Sequence, residues 1–348
     1  MMKSMLFPQA STISPGPPLA AAAEPWEAAG LRYHEYNFFL RGKFGERVQK
    51  VSIDAGFTCP NVDGTVARGG CVFCDNRSFS PSRRVPKQAV LDQIDDGISR
   101  LKRRYVCDKF LAYFQPATNT YGSLEKLRTI YEAALSHPKV VGLAIGTRSD
   151  CVPDETLALV EELARRAYVC VEFGLQTIHD RTLAWMNRGH DYASFLDAID
   201  RSRGRGFSIC AHVMLGLPGE THADMLATAR EVTRLNLDAV KLHNLYVVRN
   251  TPLADDYLQG RIALQSRSDY VATAIDFLEL LPPATVVERL SGEAPPDWFL
   301  GPAWAQDKPA LREAFRAEFL RRDTRQGKRY AEGRPTESAV PTPTAPLT

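Results

Sequence analysis

From residue 48 to residue 246 the chain alternates short β-branched or aromatic runs with amphipathic stretches of helical period, and this alternation limits the possible folds more than any other feature. The strand-like runs are 48–57, 109–114, 140–146, 168–174, 207–215 and 239–246. The helical stretches between them are 87–105, 124–136, 153–166, 192–203 and 222–235, with Pro153 placed for a first helical turn. Strand–helix repetition predicts an α/β fold with a parallel sheet and its helices outside. Six units fall short of the eight that close a full barrel, so the pattern predicts a partial (β/α)6 TIM-like barrel. A doubly wound sheet is the alternative. Either way, ligands gather where strands end. Those ends carry Cys59, the run 115–119, the run 147–150, Gln176, the run 216–220 and the run 247–249.

Composition sets the outer limits. Of 348 residues, 43 are Lys or Arg and 41 are Asp or Glu, so a chain-wide nucleic-acid coat is excluded but a local basic patch is not. No apolar run is long enough for a transmembrane helix, and Pro8, Pro15, Pro17 and Pro18 interrupt any N-terminal signal core. No membrane partner and a cytoplasmic location are expected. Residues 1–30 and 331–348 are rich in Pro with Ala, Ser or Thr, and read as a disordered leader and tail. The ordered remainder divides into a core, 31–280, and a C-terminal extension, 281–330, which is expected to close the barrel mouth.

The cysteines are seven, an odd number that does not suit an extracellular disulfide framework. Cys59, Cys71 and Cys74 cluster as Cys-x11-Cys-x2-Cys, in a loop whose Pro60, Asp63-Gly64 and Gly69-Gly70 are turn formers. A structural zinc site wants four ligands on one ion, and no fourth Cys or His lies nearby. An iron–sulfur cubane normally takes four thiolates, so three would leave one iron open to a chelating ligand. Three unrelated buried thiols is the remaining reading. Cys107, Cys151, Cys170 and Cys210 stand apart and read as bystanders, with Cys151 nearest a strand end.

The cysteine segment resembles the radical SAM superfamily. Most members carry three residues in the first gap; the eleven here resemble the branch related to the elongator catalytic subunit. Phe73 before the last cysteine, Asn187-Arg188-Gly189-His190, and the run 212–219 (HVMLGLPG) also match that branch. The pattern runs from about Tyr33 to about Arg329 and is nearest the bacterial YhcC/YtqA-like radical SAM proteins. The resemblance implies a radical SAM barrel holding a [4Fe-4S] cluster on Cys59, Cys71 and Cys74. It also implies S-adenosylmethionine (SAM), bound to the open iron through its amino and carboxylate groups, and an electron donor such as flavodoxin or ferredoxin. The loop after the second strand normally carries Gly-Gly-Glu near the SAM amino group; here it reads Gln115-Pro116-Ala117-Thr118-Asn119, which leaves backbone carbonyls and Gln115 for that contact.

Other cofactor contacts are expected from Phe73, Glu172, Gln176, Gly216, Leu217 and Tyr246. Glu172 is a carboxylate inside an apolar strand, a costly placement unless it is paired, so it serves either the SAM ribose or a structural ion pair. Gly216 would let backbone approach the adenine, and Tyr246 would wall it. His190, His212 and His243 read as satisfied polar residues of the core or rim, with His243 able to point inward.

Three functions remain open. The first is a radical SAM enzyme acting on RNA, since the resemblance implies wobble-uridine chemistry on tRNA. Basic runs at 311–330 (seven Lys or Arg against three Asp or Glu), at Arg100 and 102–104, and at Arg83-Arg84 suit phosphate contacts, or are solvated helix faces. The second is the same chemistry on a small metabolite or a haem precursor. The third is a cluster-bearing RNA-binding or regulatory protein without turnover. The elongator subunit's acetyltransferase activity is not expected in cis, because only about 70 ordered residues follow the sixth strand.

Overall fold

The structure, a computed structural model, describes residues 24–80, 83 and 88–333. Most of the expected leader and tail therefore lies outside the described residues. The strands are β1 (Val48–Ile53), β2 (Lys109–Phe114), β3 (Val140–Thr147), β4 (Tyr168–Gln176), β5 (Ser208–Leu215), β6 (Ala239–Asn244), β7 (Val247–Val248), β8 (Val286–Arg289) and β9 (Phe299–Gly301). Seven of them form one parallel sheet in the order β1-β2-β3-β4-β5-β6-β8.

The helices that follow the strands start and stop where local chemistry dictates. His222–Leu235 opens on a capping box, in which Thr221 and Asp224 each satisfy the other's backbone N–H, and it closes on Asn236 in the left-handed region. Leu124–Leu135 and Tyr192–Ser202 are capped by Ser123 and Asp191. Pro153 serves as the residue before Asp154–Ala164 rather than its first turn. Val90–Lys102 packs directly on β1: a Cβ at Gly97 would meet Val51 Cγ1 at 2.3 Å, so only glycine permits that approach. Between sheet and helices lies one apolar core that includes Phe110, Phe114, Tyr131, Phe173, Phe195 and Phe277.

Ion pairs reveal the curl of the sheet. β1 and β4 are separated by two strands, yet Lys50 Nζ lies 2.6 Å from Glu172 Oε1. β1 and β8 are the two edges of the sheet, yet Lys50 Nζ also lies 2.5 Å from Glu288 Oε2. Lys241 on β6 pairs with Glu172 and, at 3.2 Å, with Glu288. Side chains from strands that are not neighbours meet only across an enclosed interior, so the sheet is a curled, open barrel. No backbone ladder joins β1 to β8 among the described residues; charge spans the seam instead.

The sequence reading is corrected in three places. β1 ends at Ile53 rather than at 57, since residues 54–59 leave the sheet to enter the cysteine loop. Residues 24–30, placed in the disordered leader, are ordered: Trp26 is 1% exposed, and its indole Nε1 donates to Pro283 O at 3.0 Å. A seventh strand, β8, comes from the expected extension, so a boundary at 280/281 precedes a strand that completes the sheet. Beyond β8, β9 pairs antiparallel with β7, and Arg249 N donates to Trp298 O at 2.8 Å, which draws residues 290–301 over the end of β6.

Lys50 stands between two buried carboxylates, so Lys50→Met should cost about 3 kcal/mol of stability by leaving Lys241 as the one lysine facing both. Urea denaturation measures this, and adding Glu288→Gln should recover part of the loss. A cost near zero would show that the seam does not depend on the pair.

Candidate cluster and cofactor site

The C-terminal ends of the strands surround a cavity of about 370 Å³, and Cys59, Cys71 and Cys74 all lie on its wall. None is in a disulfide. Burial raises the Cys74 thiol well above its usual range, and the neighbouring Cys71 and Cys59 add to this, so the three sulfurs lie close enough to feel one another. Among the described residues, no three Cys, His, Asp or Glu side chains converge as the ligands of a single ion would. A cubane takes its thiolates on separate irons.

The long first gap is held in shape by Asn187-Arg188-Gly189. Asn187, in the left-handed region at φ 52°, donates from Nδ2 to Gly70 O (2.8 Å) and Arg68 O (3.1 Å). Asn61, fully buried, donates from Nδ2 to Asn187 O at 2.5 Å and reaches Cys71 Sγ at 3.6 Å. Arg188 places one guanidinium nitrogen 3.7 Å from Cys71 Sγ, and another donates to Gly174 O at 2.7 Å. Gly189 sits at φ 75°, where a Cβ would lie 2.4 Å from Asn61 Oδ1. Behind this clamp, Arg148 is fixed by a two-pronged pair with Asp150 (2.8 Å on each prong) and donates to Arg188 O at 2.8 Å.

Of the other expected contacts, Phe73, Gln115, Glu172, Gln176 and Tyr246 line the cavity. Gln115 Oε1 accepts from Ser52 Oγ at 3.0 Å. In the same loop the Thr118 hydroxyl is buried at the cavity wall without a hydrogen-bond partner, an orphan of the kind a polar ligand satisfies. Thiols and an unspent hydroxyl on one wall fit a cluster with a polar cofactor beside it.

Gly216 and Leu217 are not on this wall. A Cβ at Gly216 would meet the Gln265 side chain at 2.6 Å, and Leu217 packs with Leu183, Met186 and Met214 in an apolar cluster behind the rim. Glu172 is not a free cofactor ligand either. One oxygen accepts from Lys50, and the other accepts from Lys241 and, at 2.8 Å, from His212 Nε2. The ion-pair alternative is what the fold adopts. Burial, with Lys241 next, lowers His212 to about 4, and burial also holds His243 well below the usual range, so both rings are neutral at neutral pH. Despite its burial, the Glu172 carboxyl lies well below the usual range because Lys241 and Lys50 stabilise its charge.

The residues that sequence reasoning missed are Lys50, Lys241, Glu288 and Arg289. Lys50 and Lys241 are charges within strands the sequence located, the signal that singled out Glu172, whereas Glu288 and Arg289 lie on the short β8, which no such pattern marks. The basic run 311–330 is largely spent internally: Arg322 pairs with Asp276, Arg321 with Glu318, Arg325 with Glu27 and Arg329 with Glu279. Arg83 pairs with Asp54, and Arg84 lies outside the described residues. Cys170 and Cys210 are fully buried in the core, as expected of bystanders, and Cys151 is buried against Asp150.

Comparison with known proteins defines the class. The family description "Radical SAM superfamily" matches residues 64–232, and "Radical_SAM C-terminal domain" matches residues 237–320. The chain belongs to the radical SAM superfamily; it is an enzyme of that class and uses a [4Fe-4S] cluster and SAM. It is 38% identical over 304 residues to the uncharacterised protein YtqA of Bacillus subtilis (strain 168), covering 87% of this chain and 94% of YtqA. Over 178 residues it is 31% identical to a tRNA uridine(34) acetyltransferase of Dehalococcoides mccartyi, covering 50% of this chain and 38% of that protein. Among solved structures, the archaeal Methanocaldococcus infernus Elp3 shares the fold, with a TM-score of 0.61 at 16% identity over 85% of this chain and 69% of its own.

Two expectations follow. Gly189→Ala should displace the cysteine loop, so that anaerobically reconstituted protein binds well under half the iron of wild type, by chemical iron assay, while its far-UV circular dichroism is unchanged; full loading would contradict the clamp. His212 titrates near 6.5 in the unfolded chain and at about 4 in the fold. The unfolded state therefore takes up the proton first as pH falls, and stability drops through that window by up to about 1.4 kcal/mol per pH unit for this histidine. His212→Gln should flatten the dependence of the urea midpoint on pH between pH 6.5 and pH 4.

Proposed function

We propose that this chain is a radical SAM enzyme that modifies an RNA nucleoside, with the wobble uridine of tRNA as its target. The observation that carries the reading is the 178-residue likeness to a tRNA uridine(34) acetyltransferase. A cavity of about 370 Å³ falls in the range of small-molecule sites, and its mouth is where a base displaced from its stack would enter. The exposed Arg100 and Arg103 are basic positions available to a polyanion, whereas most of the basic run 311–330 is internally paired.

In this reading Cys59, Cys71 and Cys74 hold the cluster, and the loop 115–119 with Gln176 and Tyr246 receives SAM. When bound, the cluster and SAM together supply a 5′-deoxyadenosyl radical after reduction by a flavodoxin or ferredoxin. The protein's own residues do the rest. Arg188 and Asn61 orient Cys71, the apolar rim of Phe73, Met214 and Tyr246 limits water, and the ion pairs beneath Glu172 keep the floor rigid.

Nucleoside profiling of total tRNA from a deletion strain tests the substrate. A modified wobble uridine should disappear and its precursor accumulate, with restoration by the wild-type gene and none by Cys71→Ala. An unchanged profile would overturn the RNA reading.

A further inference from the structure

At the foot of the cavity, charge does not balance. Three cations, Lys50, Lys241 and Arg289, are gathered there around two carboxylates, Glu172 and Glu288. The two lysines account for both carboxylates. Arg289, at the end of β8, has no acidic partner among the described residues, yet it lines the cavity. Its Nη2 meets both ring nitrogens of His243, a neutral ring that can accept one hydrogen bond. Its Nε is buried with no partner at all. Of the other guanidinium groups on the wall, Arg148 is paired with Asp150, and Arg188, whose Nε is also buried without a partner, spends its two terminal nitrogens on Gly174 O and Cys71 Sγ beside the cysteine loop. The remaining wall carboxylate, Glu293, is paired with Lys308.

A half-buried guanidinium with an unused donor and one excess positive charge around it is costly unless an anion arrives. The fork geometry of arginine matches a carboxylate or phosphate. His212 stacks at a tilt against His243, with centroids 5.4 Å apart, so the polar floor continues from Arg289 to Glu172. We propose that Arg289 is the substrate-binding residue of this cavity, and that the substrate presents an oxyanion, a carboxylate or a phosphate, to it. This rests on the cavity being the site of the proposed reaction, and it adds a requirement to that reading: the group that reacts lies within reach of a negatively charged substituent. The SAM carboxylate is the competing occupant, and the test separates the two.

The full chain, reconstituted with its cluster, is titrated with carbon-13-labelled acetate and with inorganic phosphate, and line broadening is followed by nuclear magnetic resonance; SAM affinity is measured in parallel by equilibrium dialysis. Wild type should bind at least one of the two anions saturably. Arg289→Gln should weaken that binding by about tenfold or more, as expected for loss of one charge-assisted pair. Arg289→Lys should retain part of it, and its melting temperature guards against misfolding as the cause. SAM affinity should change by no more than about twofold in either variant. The preferred probe indicates which oxyanion the substrate carries. Anion binding that is equal in wild type and Arg289→Gln overturns the inference. So does a loss of SAM affinity of about tenfold in Arg289→Gln, which would assign Arg289 to the cofactor. Anion binding that depends on Arg289 in a protein that fails to bind SAM would support the oxyanion site and count against the proposed function.

Discussion

The ion network inside the barrel is the constraint on which the rest of the structure depends. A seven-stranded sheet that stops short of closure has two edges to cover, of which residues 34–35 bridge β8, and an interior that must be filled. Here Lys50 on one edge strand and Glu288 on the other lie 2.5 Å apart, with Glu172 and Lys241 completing the square. Removing such charges from water is expensive, and the attraction repays the cost only with good geometry. The network therefore does not argue for high stability. It fixes the radius at which the barrel stands open, and so the floor on which a substrate rests.

Above that floor the site is built by one segment acting on another. The loop that carries Cys59, Cys71 and Cys74 closes on itself through Val66 N to Pro60 O (2.9 Å) and Gly70 N to Asn61 O (2.8 Å), and Asn187, Arg188 and Gly189, which follow β4, add contacts from another segment. The eleven-residue gap is thus held from within and from outside. Its donor atoms reach loop carbonyls and one cysteine sulfur together, so the fold of the loop and the electrostatics of the cluster share the same residues. The C-terminal segment adds the last wall, with Gly292 N donating to Asn244 Oδ1 at 2.9 Å beside Tyr246.

Much of this was legible in the sequence. Alternating strand and helix patterns located β2 and the helix His222–Leu235 to the residue, because their ends carry clear signals such as the Thr221–Asp224 capping box. The cysteine motif singled out three thiols that the fold brings to one cavity wall. What escaped was non-local. β8 is only four residues long and lies beyond the last strand–helix repeat, so no period announces it. Trp26 looked like part of a proline-rich leader because its partner, Pro283, is 257 residues away. Glu172 was recognisable as a buried carboxylate, but its partners Lys50 and Lys241 sit on β1 and β6, which are not its neighbours and which the curl of the sheet brings to it. Gly216 and Leu217 were placed by motif alone, and packing against Gln265 and Leu183 puts them behind the rim.

The central claim is that the three cysteines, held by the Asn187–Gly189 segment over a charged barrel floor, form a working radical SAM centre. The most direct measurement is release of 5′-deoxyadenosine from the anaerobically reconstituted chain given SAM and a strong reductant. The account predicts product from the wild-type protein and none from variants in which Cys59, Cys71 or Cys74 is replaced by Ala. A fully clustered wild-type protein that binds SAM and yields no 5′-deoxyadenosine would contradict it.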